Sequence, residues 1–203
     1  MRAGIELKIG VWSMKQIILA SKSPRRHELL KQIGIKHQLA DSHFDESSVE
    51  MDSPEKTAAV LAVNKARKIA RLNPDDLVIG ADTLVIFQDK ILGKPRDYEE
   101  AYHMLSNLSG QTHCVITGLA LVSINPPKEL TCCEKTKVTF RDLEKQEIES
   151  YLDSGEAWDK AGAYGIQGKA ATFAKKVEGC YFNVVGLPLA RFVMMLKEWD
   201  IRI

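Results

Sequence analysis

Six short segments combine residue types that could do chemistry. In the first, Ser21-Lys22-Ser23-Pro24-Arg25-Arg26, a small polar loop leads from an apolar run into a helical pattern. Helix N-termini present unpaired N–H groups and a partial positive charge, which suits anions. Arg25 and Arg26 in the first turn oppose that charge. An anionic ligand would offset the conflict, since a guanidinium fork matches phosphate oxygens. The other reading is a solvated basic turn.

The second candidate is Asp82, in the middle of Leu77-Val78-Ile79-Gly80-Ala81-Asp82-Thr83-Leu84-Val85-Ile86. An ionised carboxylate inside a sheet costs on the order of several kcal/mol unless it is paired or metal-bound. Gly80 and Ala81 leave room for something to approach the backbone. A catalytic base or metal ligand explains both features; the alternative is an aspartate at a strand end, bonded to loop amides. The third candidate is Lys65. With each helical residue advancing about 100°, Ala58, Leu61, Ala62, Ala66 and Ile69 fall on one face and Lys65 lies near its middle. Its ammonium either reaches past the core into a polar cleft or snorkels to the surface.

Three weaker segments follow. In Gly93-Lys94-Pro95 the proline favours extended geometry at Lys94 and the glycine allows a tight turn, presenting a lysine from a loop. Ala161-Gly162-Ala163-Tyr164-Gly165-Ile166-Gln167-Gly168 has a glycine at every third position, which permits close backbone approach to a ligand. Gln167 carries a donor and an acceptor and could read a base edge; the segment is otherwise a plain glycine-rich turn. Asp45-Glu46 offers hard oxygen ligands for magnesium or manganese, or is a polar loop.

The elements that must position these residues are legible from pattern. Gln16–Ala20 reads as a buried strand. Ser23-Pro24 opens a helix whose inner face carries Leu29, Leu30 and Ile33, and Ser53-Pro54 opens a longer one running to about Leu72. Leu77 to Phe87 is a β-rich run, with a hairpin turn at Gln88-Asp89-Lys90. Asp97-Tyr98-Glu99-Glu100 is a capping box for a helix carrying Ala101, Leu105 and Leu108, stopped by Gly110. His113–Ile124 and Leu130–Phe140 are strands separated by Asn125-Pro126-Pro127-Lys128. Leu143, Ile148, Tyr151 and Leu152 mark a helix. Phe173–Val185 is expected as a hairpin turning at Glu178-Gly179, and Pro188 starts a last helix with Leu189, Phe192, Val193 and Leu196 inward. The alternation predicts an α/β fold with a mixed sheet, in one domain or two lobes.

Bulk properties narrow the function classes. The 203 residues carry a net charge of +1, so no global field attracts nucleic acid or a membrane, and anion binding must be local. The four cysteines form no C-x-x-C pair, and the histidines show no zinc-type spacing. Without a secretory signal pattern, a reduced cytoplasmic setting is the simplest reading. No apolar run approaches membrane-span length. Residues 1–14 read as an extension or upstream start, and 15–203 as one domain.

In this order the segments resemble the Maf family of nucleoside triphosphate pyrophosphatases. The matching blocks are Ala20-Ser21-Lys22-Ser23-Pro24-Arg25-Arg26 with Glu28-Leu29-Leu30, Asn64-Lys65-Ala66, Gly80-Ala81-Asp82-Thr83, Gly93-Lys94-Pro95, Leu108-Ser109-Gly110, Asp159-Lys160 through Gly168, and Val185-Gly186-Leu187-Pro188. The resemblance implies a mixed twisted sheet flanked by helices, with two lobes and a central cleft, similar to inosine triphosphate pyrophosphatases. It implies metal-dependent hydrolysis of a nucleoside triphosphate to the monophosphate and pyrophosphate. Asp82 matches the catalytic aspartate and, with Glu46, a site for magnesium or manganese. Ser21, Ser23, Arg25, Arg26, Lys65 and Lys94 would hold substrate; Arg25, Thr83 and Gln167 match positions linked to substrate choice. The Gly165-Ile166-Gln167-Gly168 form resembles the dTTP/UTP-type subgroup. A homodimer is compatible with the resemblance. So are a regulatory nucleotide-binding role in cell division without hydrolysis, and hydrolysis of modified nucleotides.

Overall fold

The computed structural model describes residues 16–49 and 52–201, so the expected N-terminal extension lies outside the described residues. In chain order the elements are β1 (Ile17–Leu19), α1 (Pro24–Gln32), β2 (Gln38–Leu39), α2 (Pro54–Ala70), β3 (Leu77–Phe87), β4 (Lys90–Leu92), α3 (Tyr98–Leu108), β5 (Thr112–Ser123), β6 (Lys128–Phe140), α4 (Lys145–Asp153), β7 (Ala174–Glu178), α5 (Tyr181–Val185) and α6 (Leu189–Glu198). The strands form one mixed sheet in the order β2-β1-β3-β5-β6-β7, with β4 paired on β3. β1 runs parallel to both β2 and β3, whereas β3–β4 and β6–β7 are antiparallel. Parallel strands are covered on both faces, which is why β1 is an unbroken buried run, Ile17-Ile18-Leu19.

The chain divides into two compact units. The first holds the described chain through Asp82, Thr117–Glu134 and the stretch from Gly186 onward; the second holds Thr83–Ile116 and Lys135–Val185. In the first unit, α2 lies on the sheet through small residues. Ala62, Val63, Ala66, Ile69 and Ala70 pack with Ile18, Val78, Ala120 and Val122. Two glycines let the backbones meet: a Cβ on Gly80 would sit 2.1 Å from the Ala62 carbonyl oxygen, and one on Gly118 2.1 Å from that of Ala58. The room that Gly80 leaves is therefore taken by α2.

The helix openings follow the sequence chemistry with local variations. The Ser53 hydroxyl accepts the Lys56 N–H at 3.3 Å, and the Asp97 carboxylate accepts the Glu100 N–H at 2.8 Å. The return bond of that expected capping box goes one residue further back, from the Arg96 N–H to Glu100 at 2.8 Å. The β3–β4 hairpin turns at Gln88 and Asp89, both at positive φ (49° and 59°).

One element differs from expectation. After β7 the chain forms α5 in place of a returning strand. Gly179, at φ +124°, packs close against Thr136, and the Thr136 hydroxyl accepts the Cys180 N–H at 3.1 Å. The buried Asn183 amide then donates to the Val115 carbonyl at 3.0 Å and to the Thr136 hydroxyl at 2.9 Å. A short apolar run does not distinguish helix from strand by itself; these polar contacts, distant in sequence, decide it. In α6, Met195 takes a buried place beside Leu189, Phe192 and Leu196, while Val193 is only half-buried.

Candidate active site

The first unit assembles a chain of charges around β3. Residues Leu77 through Asp82 are all buried. Gly80 and Asp82 share a face of β3 because strand side chains alternate, and α2 lies on that face. Lys65, on α2, is thereby brought to Asp82: its Nζ donates to Asp82 Oδ1 at 2.5 Å and to Glu46 Oε1 at 2.6 Å. The Lys65 and Asp82 side chains are only 13% and 9% exposed, so solvent screens their pair weakly, whereas Glu46 is 58% exposed. The ammonium thus reaches past the apolar face of α2 to two carboxylates. Burial pushes the Asp82 carboxyl above its ordinary range; Lys65 and Arg26 pull it back down, and Glu46 raises it slightly.

Arg26 enters the same charge network from α1. Its Nε donates to the Gly186 carbonyl at 2.8 Å and its guanidinium to the Ser21 hydroxyl at 3.1 Å. Burial lowers its pKa, and the charges of Asp82 and Glu46 counter that effect. The conflict between an arginine and the positive end of a helix is therefore relieved, for Arg26, by groups of the protein. Ser21 also accepts the Ser23 N–H at 3.1 Å, so Ser21 orders the turn, while Ser23 occupies the N-cap position without a side-chain cap bond. Arg25 is half-buried on the same turn. Asp45 serves as a cap, accepting the Ser47 N–H at 3.0 Å and hydroxyl at 2.6 Å. Of the Asp45-Glu46 pair, Glu46 makes the bond to Lys65.

The remaining sequence candidates lie in the second unit. Thr83 is half-buried; Lys94 and Gln167 are exposed. The loops bearing the last two are joined, since the Gly162 N–H donates to the Gly93 carbonyl at 3.0 Å. Glycines 162, 165 and 168 are each approached by a protein side chain: Val85, the Lys160 stem and Glu156 respectively. Gly93 has open space around it.

Among the described residues, no three His, Cys, Asp or Glu side chains form a metal-binding group. The two carboxylates at hand, Asp82 and Glu46, match in number what a magnesium-type ion commonly takes from a protein, the rest of its shell being water and substrate phosphates. Asp82 and Glu46 already converge on one cation, the Lys65 ammonium. One participant leaves no signal in the sequence. Gly186 was visible only as a glycine ahead of Leu187-Pro188, with nothing to mark its carbonyl as an arginine acceptor.

The buried acid–base network on a mixed sheet is the setting of a family match that spans residues 16–199 and is described as Maf-like protein. The chain belongs to that family. Among its relatives, a protein of Geobacillus sp. (strain WCH70) is 53% identical, covering 91% of this chain and 98% of that protein. One from Carboxydothermus hydrogenoformans is 50% identical over the same shares, 91% and 98%. A Bacillus cereus (strain G9842) relative is 47% identical, over 93% and 97%. All three are named dTTP/UTP pyrophosphatase. The solved Staphylococcus aureus Ham1 protein gives a TM-score of 0.42 at 14% identity, covering 63% of this chain and 73% of that one, a likeness too weak to define the fold. No helix among the described residues is long and apolar enough to cross a membrane.

Proposed function

We propose that this protein hydrolyses nucleoside triphosphates, dTTP and UTP foremost, to the monophosphate and pyrophosphate, clearing them from the cytoplasmic nucleotide pool. The observation that carries the reading is the buried Asp82–Lys65 pair with Glu46 on the same ammonium, set in a chain about half identical to named dTTP/UTP pyrophosphatases. Burial leaves Asp82 more basic than an exposed aspartate, which suits it to accept a proton from water. The water oxygen bonds to the α-phosphorus, its proton goes to Asp82, and the bond from the α-phosphorus to the bridging oxygen breaks to release pyrophosphate. Lys65 holds the carboxylate in place and, with Arg25 and Lys94, neutralises phosphate charge. Ser21, Ser23 and Arg26 shape the phosphate-facing turn; Thr83 and Gln167 govern base choice. A magnesium or manganese ion held by Asp82 and Glu46 would supply further charge stabilisation on the phosphate oxygens. Such catalysis is chiefly positioning and electrostatics.

A nucleotide panel with magnesium or manganese tests this reading. Monophosphate and pyrophosphate are expected from dTTP and UTP. Orthophosphate as the product would instead define a phosphatase, and tight binding without any turnover would define a regulatory nucleotide binder.

A further inference from the structure

The second unit contains a buried imidazole that the proposed chemistry does not use. His113, on β5, is 2% exposed. Its Nε2 is hydrogen-bonded to the Tyr164 hydroxyl at 2.7 Å. Both rings meet Phe140 of β6 edge to face, at 5.0 Å and 4.8 Å between centroids, and Phe140 in turn meets Phe173 at 5.9 Å. Burial pushes the imidazole down to about 4, so it is neutral near pH 7. A phenylalanine would suit the apolar surroundings better, but it would leave the tyrosine hydroxyl without this partner.

Tyr164 is the middle of the glycine-rich segment, and that segment has little regular structure to hold it. Gly162, Ala163 and Gly168 all adopt positive φ, at 69°, 60° and 79°. In its first half the Gly162 N–H donates to the Gly93 carbonyl and the Ala163 N–H to the Lys160 carbonyl, at 3.0 Å and 3.1 Å. Tyr164 is extended (φ −143°, ψ 157°), and the chain bends over residues 166–168. Tyr164 and Ile166 are buried, at 5% and 6% exposure, and Gln167 is exposed. Gln167 thus follows directly on two side chains anchored in the interior.

We propose that His113 is a positioning residue for base selection: bonded to Tyr164 on a long strand, it fixes the segment from which Gln167 projects. The inference rests on the reading of Gln167 as a base-reading group. A neutral, aromatic-walled hydrogen bond suits this purpose because it sets direction without adding a charge beside the substrate. A selective site depends on its polar groups being held where the correct base pairs with them.

His113→Phe and Tyr164→Phe each remove the bond and keep a ring in the core, so either variant serves if the other folds poorly. Two readouts are taken on each: amide hydrogen exchange over residues 162–168, and steady-state kinetics with UTP and GTP. Expected are an increase of about tenfold in exchange, a KM for UTP raised about tenfold with kcat within about twofold, and a narrowed UTP-to-GTP preference. Exchange and KM at wild-type values would overturn the proposal. So would faster exchange with unchanged selectivity, which assigns the bond to stability alone, or a fall in kcat with KM unchanged. If the wild-type protein cleaves no nucleotide, the proposed function fails first, and the exchange data still decide whether His113 anchors the loop.

Discussion

The two units solve the same problem, holding polar groups in a dry interior, by different means. In the first, three elements each deliver a charge: α2 brings Lys65, β3 brings Asp82 and α1 brings Arg26. Removing one member leaves the others buried and uncompensated. In the second, His113 and Tyr164 are neutral, bonded to one another and walled by Phe140 and Phe173. Removing one member there leaves an unmet hydrogen bond, a smaller loss. The difference suits a division of labour in which the charged network does chemistry and the neutral one sets direction.

The comparison is broken most decisively at Asp82. Asp82→Asn should lower kcat for dTTP by about a thousandfold, with the fold intact by circular dichroism; activity within tenfold of wild type would remove Asp82 from the chemistry. Lys65→Met, which keeps the apolar stem but frees Asp82 and Glu46 from their shared cation, should cost about a hundredfold in kcat. A change seen only in KM would make Lys65 a substrate anchor instead. Gly80→Ala forces a Cβ to 2.1 Å from the Ala62 carbonyl oxygen. It should destabilise by about 2 kcal/mol, lowering Tm by about 5 °C. An unchanged melting curve would show that α2 can shift at no cost and does not fix Lys65.

The last effect lies in the second unit and depends on pH. The folded pKa of His113, about 4, is below its ordinary 6.5, so the unfolded chain binds more protons between these values. The stability His113 contributes is complete above pH 6.5 and is lost as pH falls towards 4, by up to about 1.4 kcal/mol per pH unit. His113→Phe should flatten that part of the urea-unfolding profile. Parallel profiles for variant and wild type would place the acid sensitivity elsewhere.

What the sequence revealed and what it hid divide along the same line. Asp82 and Lys65 stood out because each is a charge inside a strongly apolar period, a conflict visible within ten residues. Strand β3 was legible end to end for the same reason. The partners were not legible. Arg26 meets the Gly186 carbonyl across 160 positions of chain, and His113 meets Tyr164 across 51; local pattern carries no trace of either. Gly80 was readable as a place of close approach, but not as the seat of α2. The loop glycines at 162, 165 and 168 mark close approach in the sequence, but not that Val85, Lys160 and Glu156 are the side chains beside them. Helix α5 was hidden because Asn183 and Thr136, which decide it, lie 47 residues apart.

The proposed function has water attack the α-phosphorus, and isotope placement reads that event directly. In ¹⁸O-water, cleavage of dTTP is expected to put the label in the nucleoside monophosphate and leave the pyrophosphate unlabelled. Label in the pyrophosphate would contradict the assignment, because the attack would then have fallen on the β-phosphorus.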